Sequence, residues 1–252
     1  MNVAKDGAVA LLDFAYPERC VLCGAGPSEV AWTPRGRVVR GLRWWDRTQL
    51  CCRCLTDIRG AGPLARPAGE GRPPVWAATA TGKSLVKVVG LWKYHGLRGL
   101  AWPISGLMAD CLAGWDCRPV LVPVPLHPRR RWQRGFNQAD AVADLVAGLK
   151  GWPLGRGLLR RRRPTTQQAR ITDDDRRRRN LAGAFEARPP GRGEGDRPLL
   201  LVDDLVTSGA TALAAKMALR AAGWPVSGVL AFGLAKRDRP GAGPVDTGEG
   251  GF

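Results

Sequence analysis

The stretch Leu199-Leu200-Leu201-Val202-Asp203-Asp204-Leu205-Val206-Thr207-Ser208-Gly209-Ala210-Thr211 constrains this chain more than any other. Four apolar residues suit a strand buried on both faces, and two adjacent carboxylates are expected to end it. A small, hydroxyl-rich turn then leads into Ala212-Leu213-Ala214-Ala215-Lys216-Met217, which reads as a helix. The predicted unit is strand, loop and helix, with an anion site at the junction.

A helix starting near Ala210 leaves its first N–H groups unpaired and points the positive end of its dipole at the loop. Thr207, Ser208 and Thr211 add hydroxyl donors, and Gly209 permits a positive φ and close approach of an oxygen to the backbone. A phosphate monoester fits such a loop. Asp203 and Asp204 would repel that phosphate, but they can accept hydrogen bonds from neutral vicinal hydroxyls, as a carboxylate does on a ribose. Phosphate beside diol describes ribose 5-phosphate. An ordinary α/β turn also uses paired Asp and small N-cap residues, and it is the whole order of elements that favours the ligand site. The residues resemble the phosphoribosyl-pyrophosphate (PRPP) motif of type I phosphoribosyltransferases, with Ser208 where Thr is commoner. The resemblance implies that Asp203, Asp204, Thr207, Ser208, Gly209, Ala210 and Thr211 bind PRPP, that Asp203 and Asp204 serve catalysis, and that Mg2+ accompanies the ligand.

Two Cys-x-x-Cys pairs, Cys20/Cys23 and Cys51/Cys54, can complete a tetrahedral thiolate shell, the donor set that zinc prefers. The stretch between them is longer than in the usual ribbon spacing, and Cys52 leaves open which of Cys51 and Cys52 is the ligand. A redox pair or unligated thiols are the competing readings. Cys111 and Cys117 have no partner at ligand spacing. The region between the knuckles mixes Arg35, Arg37, Arg40, Arg43 and Arg47 with Trp44 and Trp45, residues that can stack bases and track phosphates or simply pack a small metal module.

Around these motifs the chain divides into an N-terminal helix and cysteine module over 1–59, a Gly/Pro-rich linker over 60–74, an α/β domain over 75–236 and a frayed tail over 237–252. A helix is expected at 6–16, a strand at 75–80, helices at 83–93 and 100–112, a strand at 120–126, a helix from Asn137 to 149, and a final strand at 226–234. Lys93, at the end of the helix over 83–93, and His95, just beyond it, could touch a ligand, though a lone His after a helix is more often structural. Val122-Pro123-Val124-Pro125 resembles the pyrophosphate-clasping loop of type I phosphoribosyltransferases, so Val124 and Pro125 are expected in the site. Arg129, Arg130, Arg131 and Arg134 would then sit in that loop and pair with phosphates, Arg134 as a catalytic group.

Arg134-Gly135-Phe136-Asn137-Gln138, the preceding Lys93-Tyr94-His95-Gly96, the cysteine knuckles and the Asp-Asp loop, in this order, are similar to the ComF family of competence-associated phosphoribosyltransferase-like proteins. That family implies a mainly parallel α/β sheet with helices on both faces and a small zinc-ribbon-like module. It also implies a flexible loop within 160–180, to which Gln168, Arg170, Arg177 and Asn180 would belong. Over 160–179 there are nine Arg against three Asp, and a solvated charged hairpin is the rival account.

The chain's 252 residues carry 39 Lys and Arg against 22 Asp and Glu, a formal charge of +17. Such an excess points to a polyanionic partner, single-stranded nucleic acid among them, although Arg-, Gly- and Pro-rich sequence bias produces a similar balance. No apolar run is long enough to span a bilayer, so a cytoplasmic protein without membrane insertion is expected. Phosphoribosyl transfer to a nitrogenous nucleophile is the leading functional expectation. DNA handling in competence, alone or with a second copy or another component of that machinery, and PRPP sensing without catalysis are the alternatives.

Overall fold

The computed structural model describes residues 19–26, 50–60, 62–69, 71–162 and 183–235. The helix expected at 6–16, the Arg and Trp residues between the knuckles, the loop residues Gln168, Arg170, Arg177 and Asn180, and the C-terminal tail lie outside them.

After the second knuckle comes α1 (Cys52–Arg59), then β1 (Leu64–Arg66), β2 (Val75–Ala80) and α2 (Lys83–Tyr94). A 3-10 turn over Arg98–Leu100 leads into α3 (Ala101–Asp110), followed by β3 (Val120–Pro123), α4 (Pro128–Arg134) and α5 (Gln138–Lys150). Next come β4 (Leu159–Arg161), β5 (Phe185–Ala187), β6 (Leu199–Val206), α6 (Ala210–Ala221) and β7 (Val226–Leu234). The main sheet has the order β1-β2-β7-β6-β3, in which only the β1–β2 pairing is antiparallel. β4 and β5 form a separate antiparallel pair.

Alternation along the strands decides what each face meets. Leu121, Leu200, Val202, Leu230 and Phe232 bury against α2, α3 and α5, through Leu85, Trp92, Ile104, Val142 and Val146. Val120, Val122, Leu199, Leu201, Val229 and Ala231 turn the other way, onto Ala212, Ala215 and Leu219 of α6 and onto Leu159 and Phe185 of the small pair. Both faces are therefore covered by helices, as a parallel sheet requires. Cys20, Leu50, Cys51 and Ile58 join the first of these cores, so the cysteine knuckles pack directly on the helical layer.

Several elements depart from the sequence expectation. β6 runs through the aspartates to Val206, because β7 is long enough to pair Asp203 with Ala231, Leu205 with Gly233 and Val206 with Leu234. β3 does not run to 126 but ends at Pro123, as expected for a ladder that must end at the prolines. The arginines expected in a loop stand instead on α4, where Pro128 opens the helix and the His127 ring accepts a hydrogen bond from the Arg129 N–H. Gly135, at φ 72°, closes it. Within the stretch expected to be a linker, Leu64–Arg66 forms an edge strand on β2.

Candidate functional site

The parallel strands end on one rim, and the turns after β3 and β6 bring the expected site residues together there. Asp203 and Asp204 face a cavity of about 180 Å³ that is also lined by Lys93, Val124, Pro125, Arg134 and Gln138. A smaller hollow of about 40 Å³, formed by Thr207 to Ala212, adjoins it, with Asp203, Leu205 and Thr211 lining both. Acidic doublet, post-β3 turn and glycine loop thus meet at one place.

The loop geometry follows from its residues. Gly209 is at φ 80° and acts as the N-cap of α6, with the Ser208 hydroxyl accepting the Ala210 N–H at 3.4 Å. A Cβ at Gly209 would lie 3.0 Å from the Arg66 Nη2 and 3.6 Å from the Arg72 Cδ, so two arginines of the 60–74 stretch back the turn. Arg66 also donates to the Thr207 carbonyl at 3.4 Å. The edge strand β1 carries Arg66 there, a role that its Pro- and Gly-rich surroundings hide in the sequence.

The carboxylates are held locally. Asp203 accepts the Asp204 N–H at 2.9 Å and Asp204 accepts the Leu205 N–H at 2.7 Å. Lys93, on the last turn of α2, places its ammonium 2.5 Å from Asp204 Oδ2, with both side chains more than four-fifths buried. Asp203 behaves differently. Burial, reinforced by the Asp204 charge, outweighs the Asp204 N–H and the Lys93 and Arg161 cations and pushes its carboxyl up to about 7. One acid of the doublet is ion-paired and the other is poised near neutrality.

On the opposite wall, Arg134 reaches Gln138 Oε1 at 3.4 Å and lies over the Tyr94 ring, 5.5 Å from its centroid. Gln138 is only 1% exposed, and its Nε2 has no protein partner. A buried amide without a partner is costly, so this donor is available to an oxygen-rich ligand. Asn137 caps α5 by accepting the Ala139 N–H at 3.3 Å and donates to the Val124 carbonyl at 3.2 Å, tying the post-β3 turn to the helix. Gln138, Tyr94 and Arg161 were not legible as site residues. The nearest signal was the Arg-Gly-Phe-Asn-Gln string.

The Sγ atoms of Cys20, Cys23, Cys51 and Cys54 lie within 4.8 Å of one another. Zn–S bonds of about 2.3 Å put tetrahedral thiolates about 3.8 Å apart, and Cys23 and Cys51 stand at 3.6 Å. The four thiols can hold a structural metal such as zinc; Cys52, the alternative ligand, is exposed and outside the cluster. Burial raises the Cys20 pKa, but N–H groups of Cys51, Cys23 and Leu22 outweigh it and bring the thiol down to about 6. Burial and the neighbouring sulfurs push Cys54 up instead. A cation between them would resolve that imbalance, since metal ligation requires thiolates. Cys111, separate from the cluster, is pushed up to about 12 mainly by burial.

These features define an α/β protein with a mainly parallel sheet, a cleft lined by acids and arginines at its strand ends, and a cluster of four cysteines that could hold a structural metal. No family model matches the sequence. The DNA utilization protein YhgH of Salmonella typhimurium is 36% identical over 207 residues, covering 77% of this chain and 87% of that protein. The protein of the same name from Salmonella typhi is 29% identical over 207 residues, with the same coverage. The chain belongs to the family of these DNA utilization proteins. Among the described residues, no helix is long and apolar enough to cross a membrane.

Proposed function

We infer that this chain serves DNA utilization and that its strand-end cleft binds a 5-phosphorylated pentose, with PRPP as the full occupant. The observation that carries the ligand reading is the joining of the Asp203–Asp204 cavity to the Thr207–Ala212 loop. In this reading the loop N–H groups and hydroxyls take the 5-phosphate and the doublet takes the ribose diol. Arg134, Arg130 and the Gln138 amide face the remaining phosphoryl oxygens. Mg2+ would enter with the pyrophosphate and offset its charge; the Asp203 carboxylate is the hard oxygen donor suited to it, Asp204 being engaged by Lys93. The zinc assignment of the cysteine cluster and the likeness to the ComF family belong to the same reading.

With a nitrogenous nucleophile, the C1–O bond to pyrophosphate would break as the C1–N bond forms, and the guanidinium-lined wall would stabilise the departing charge. Binding without turnover would make the same pocket a sensor. The DNA role draws on the relatives' names and on the +17 charge.

Calorimetry with PRPP and Mg2+ tests the pocket. Saturable heat is expected for the intact protein and none for the Asp203→Ala/Asp204→Ala double variant; no heat with the intact protein refutes the reading. Pyrophosphate release measured across bases and amines then separates enzyme from sensor.

A further inference from the structure

The helix α4 divides its side chains between two clefts. Arg130 and Arg134 line the Asp203 cavity, whereas Pro128 and Arg131 line a second, larger cleft of about 730 Å³ on the other side. Asn137, Pro125, Leu126 and Arg161 lie in the wall between the two. The second cleft adds Arg156 and Arg160. Its acids are few: Asp140 lines it, with a carboxyl raised chiefly by burial, and Asp144 engages Arg156 at 2.8 Å.

On α4, Trp132 stands next to Arg131 and one helical turn beyond Pro128, two residues that line this cleft, while the indole itself is not part of the lining. Its side chain is 86% exposed, the most exposed large apolar group among the described residues. No acid occurs on α4. An exposed indole that adjoins Arg131 in the chain, with Arg156 and Arg160 lining the same cleft as Arg131, is matched by a partner that carries both negative charge and exposed flat rings. An acidic protein supplies the charge without the rings, and a duplex keeps its bases stacked inside. A single strand offers both.

We propose that Trp132 and the cleft lined by Arg131, Arg156 and Arg160 form a binding surface for single-stranded nucleic acid, with a base stacked on the indole and backbone phosphates in the cleft. This surface rests on the DNA-utilization reading and shares a wall with the sugar-phosphate cavity, but its test requires neither PRPP nor Mg2+, so its failure and that of the ligand reading are distinguishable.

Fluorescence anisotropy with a labelled oligothymidylate, using the full zinc-loaded chain, reads the affinity. Trp132→Ala is expected to weaken binding about tenfold, the loss of one base–aromatic stack, and Trp132→Phe to restore most of it. Because the indole is exposed, its removal leaves no cavity, and circular dichroism checks the fold of each variant. Replacing Arg131 and Arg160 by Gln is expected to flatten the slope of log affinity against log salt by about 1.4, two single-strand phosphate contacts. Unchanged affinity for Trp132→Ala overturns the proposal. So does preference for a duplex of the same length, or displacement of the strand by polyglutamate with the same Trp132 dependence, which would mark an acidic protein as the partner.

Discussion

The ammonium of Lys93 and the carboxylate of Asp204 stand 2.5 Å apart, so the end of α2 is fastened to the acidic doublet of β6. Asp204 has a cation in contact, while Asp203 carries the cost of burial and of its neighbour's charge.

Stability should therefore depend on pH through Asp203. Its carboxyl titrates near 7 in the folded protein against 3.8 normally, so the native state keeps a proton that the unfolded chain has released. The stabilisation is complete below the unfolded pKa and is lost as pH rises from about 4 to about 7. Urea midpoints measured across that range should fall with pH for the intact protein and show less slope for Asp203→Asn.

Lys93→Met should be costly, because it leaves Asp204 buried without its cation. Breaking a buried pair from one side costs about 3 kcal/mol. The same change removes a charge that lowers the Asp203 pKa, so carboxyl titration followed by NMR should show Asp203 moving further upward.

Gly209→Ala puts a side chain at φ 80°, and its Cβ would meet the Arg66 guanidinium at 3.0 Å. A left-handed non-glycine residue costs about 1–2 kcal/mol. The expected result is a modest drop in the urea midpoint together with loss of PRPP heat in calorimetry. Retained heat would show that the loop does not have to keep this shape to bind.

How much of this could be read beforehand depended on the length of each element. β2, β7, α2, α5 and α6 lie within a residue or two of expectation, because apolar periodicity and caps such as Asn137 mark their ends. β1, β4 and β5 have three residues each, too few to show a period, and exist only because a neighbouring strand supplies their hydrogen bonds. The extension of β6 past Asp204 likewise depends on β7. In the site, Asp203, Asp204 and the glycine loop declared themselves by chemistry and order. The Lys93 contact, the unpartnered Gln138 amide and the Arg66 support arise from elements distant in the chain.

Asn137→Ala tests the tie between α5 and the turn after β3. It removes the cap on Ala139 and the bond to the Val124 carbonyl, both at a side chain 6% exposed. A cost of about 2 kcal/mol follows for a lost cap plus a buried carbonyl left without its donor. Thermal unfolding gives that figure, and weaker PRPP binding should accompany it.

Metal removal should reach beyond the knuckles. Cys20, Cys51 and Ile58 share a core with Leu85 and Val88 of α2, so chelation is expected to lower the melting temperature of the whole chain. Metal analysis should find one zinc per protein, lost in Cys20→Ser and kept in Cys52→Ser.

The shared direction of β2, β7, β6 and β3 also divides the molecule for the engineer. The turns that enter β6 and β7, at Gly193 and Gly223, lie at the end opposite the cleft, whereas the turn into β2 brings Arg66 and Arg72 against the glycine loop. A tag, a dye or a surface tether inserted at Gly193 would leave the working rim untouched, whereas the same insertion after Val206 would lie across it.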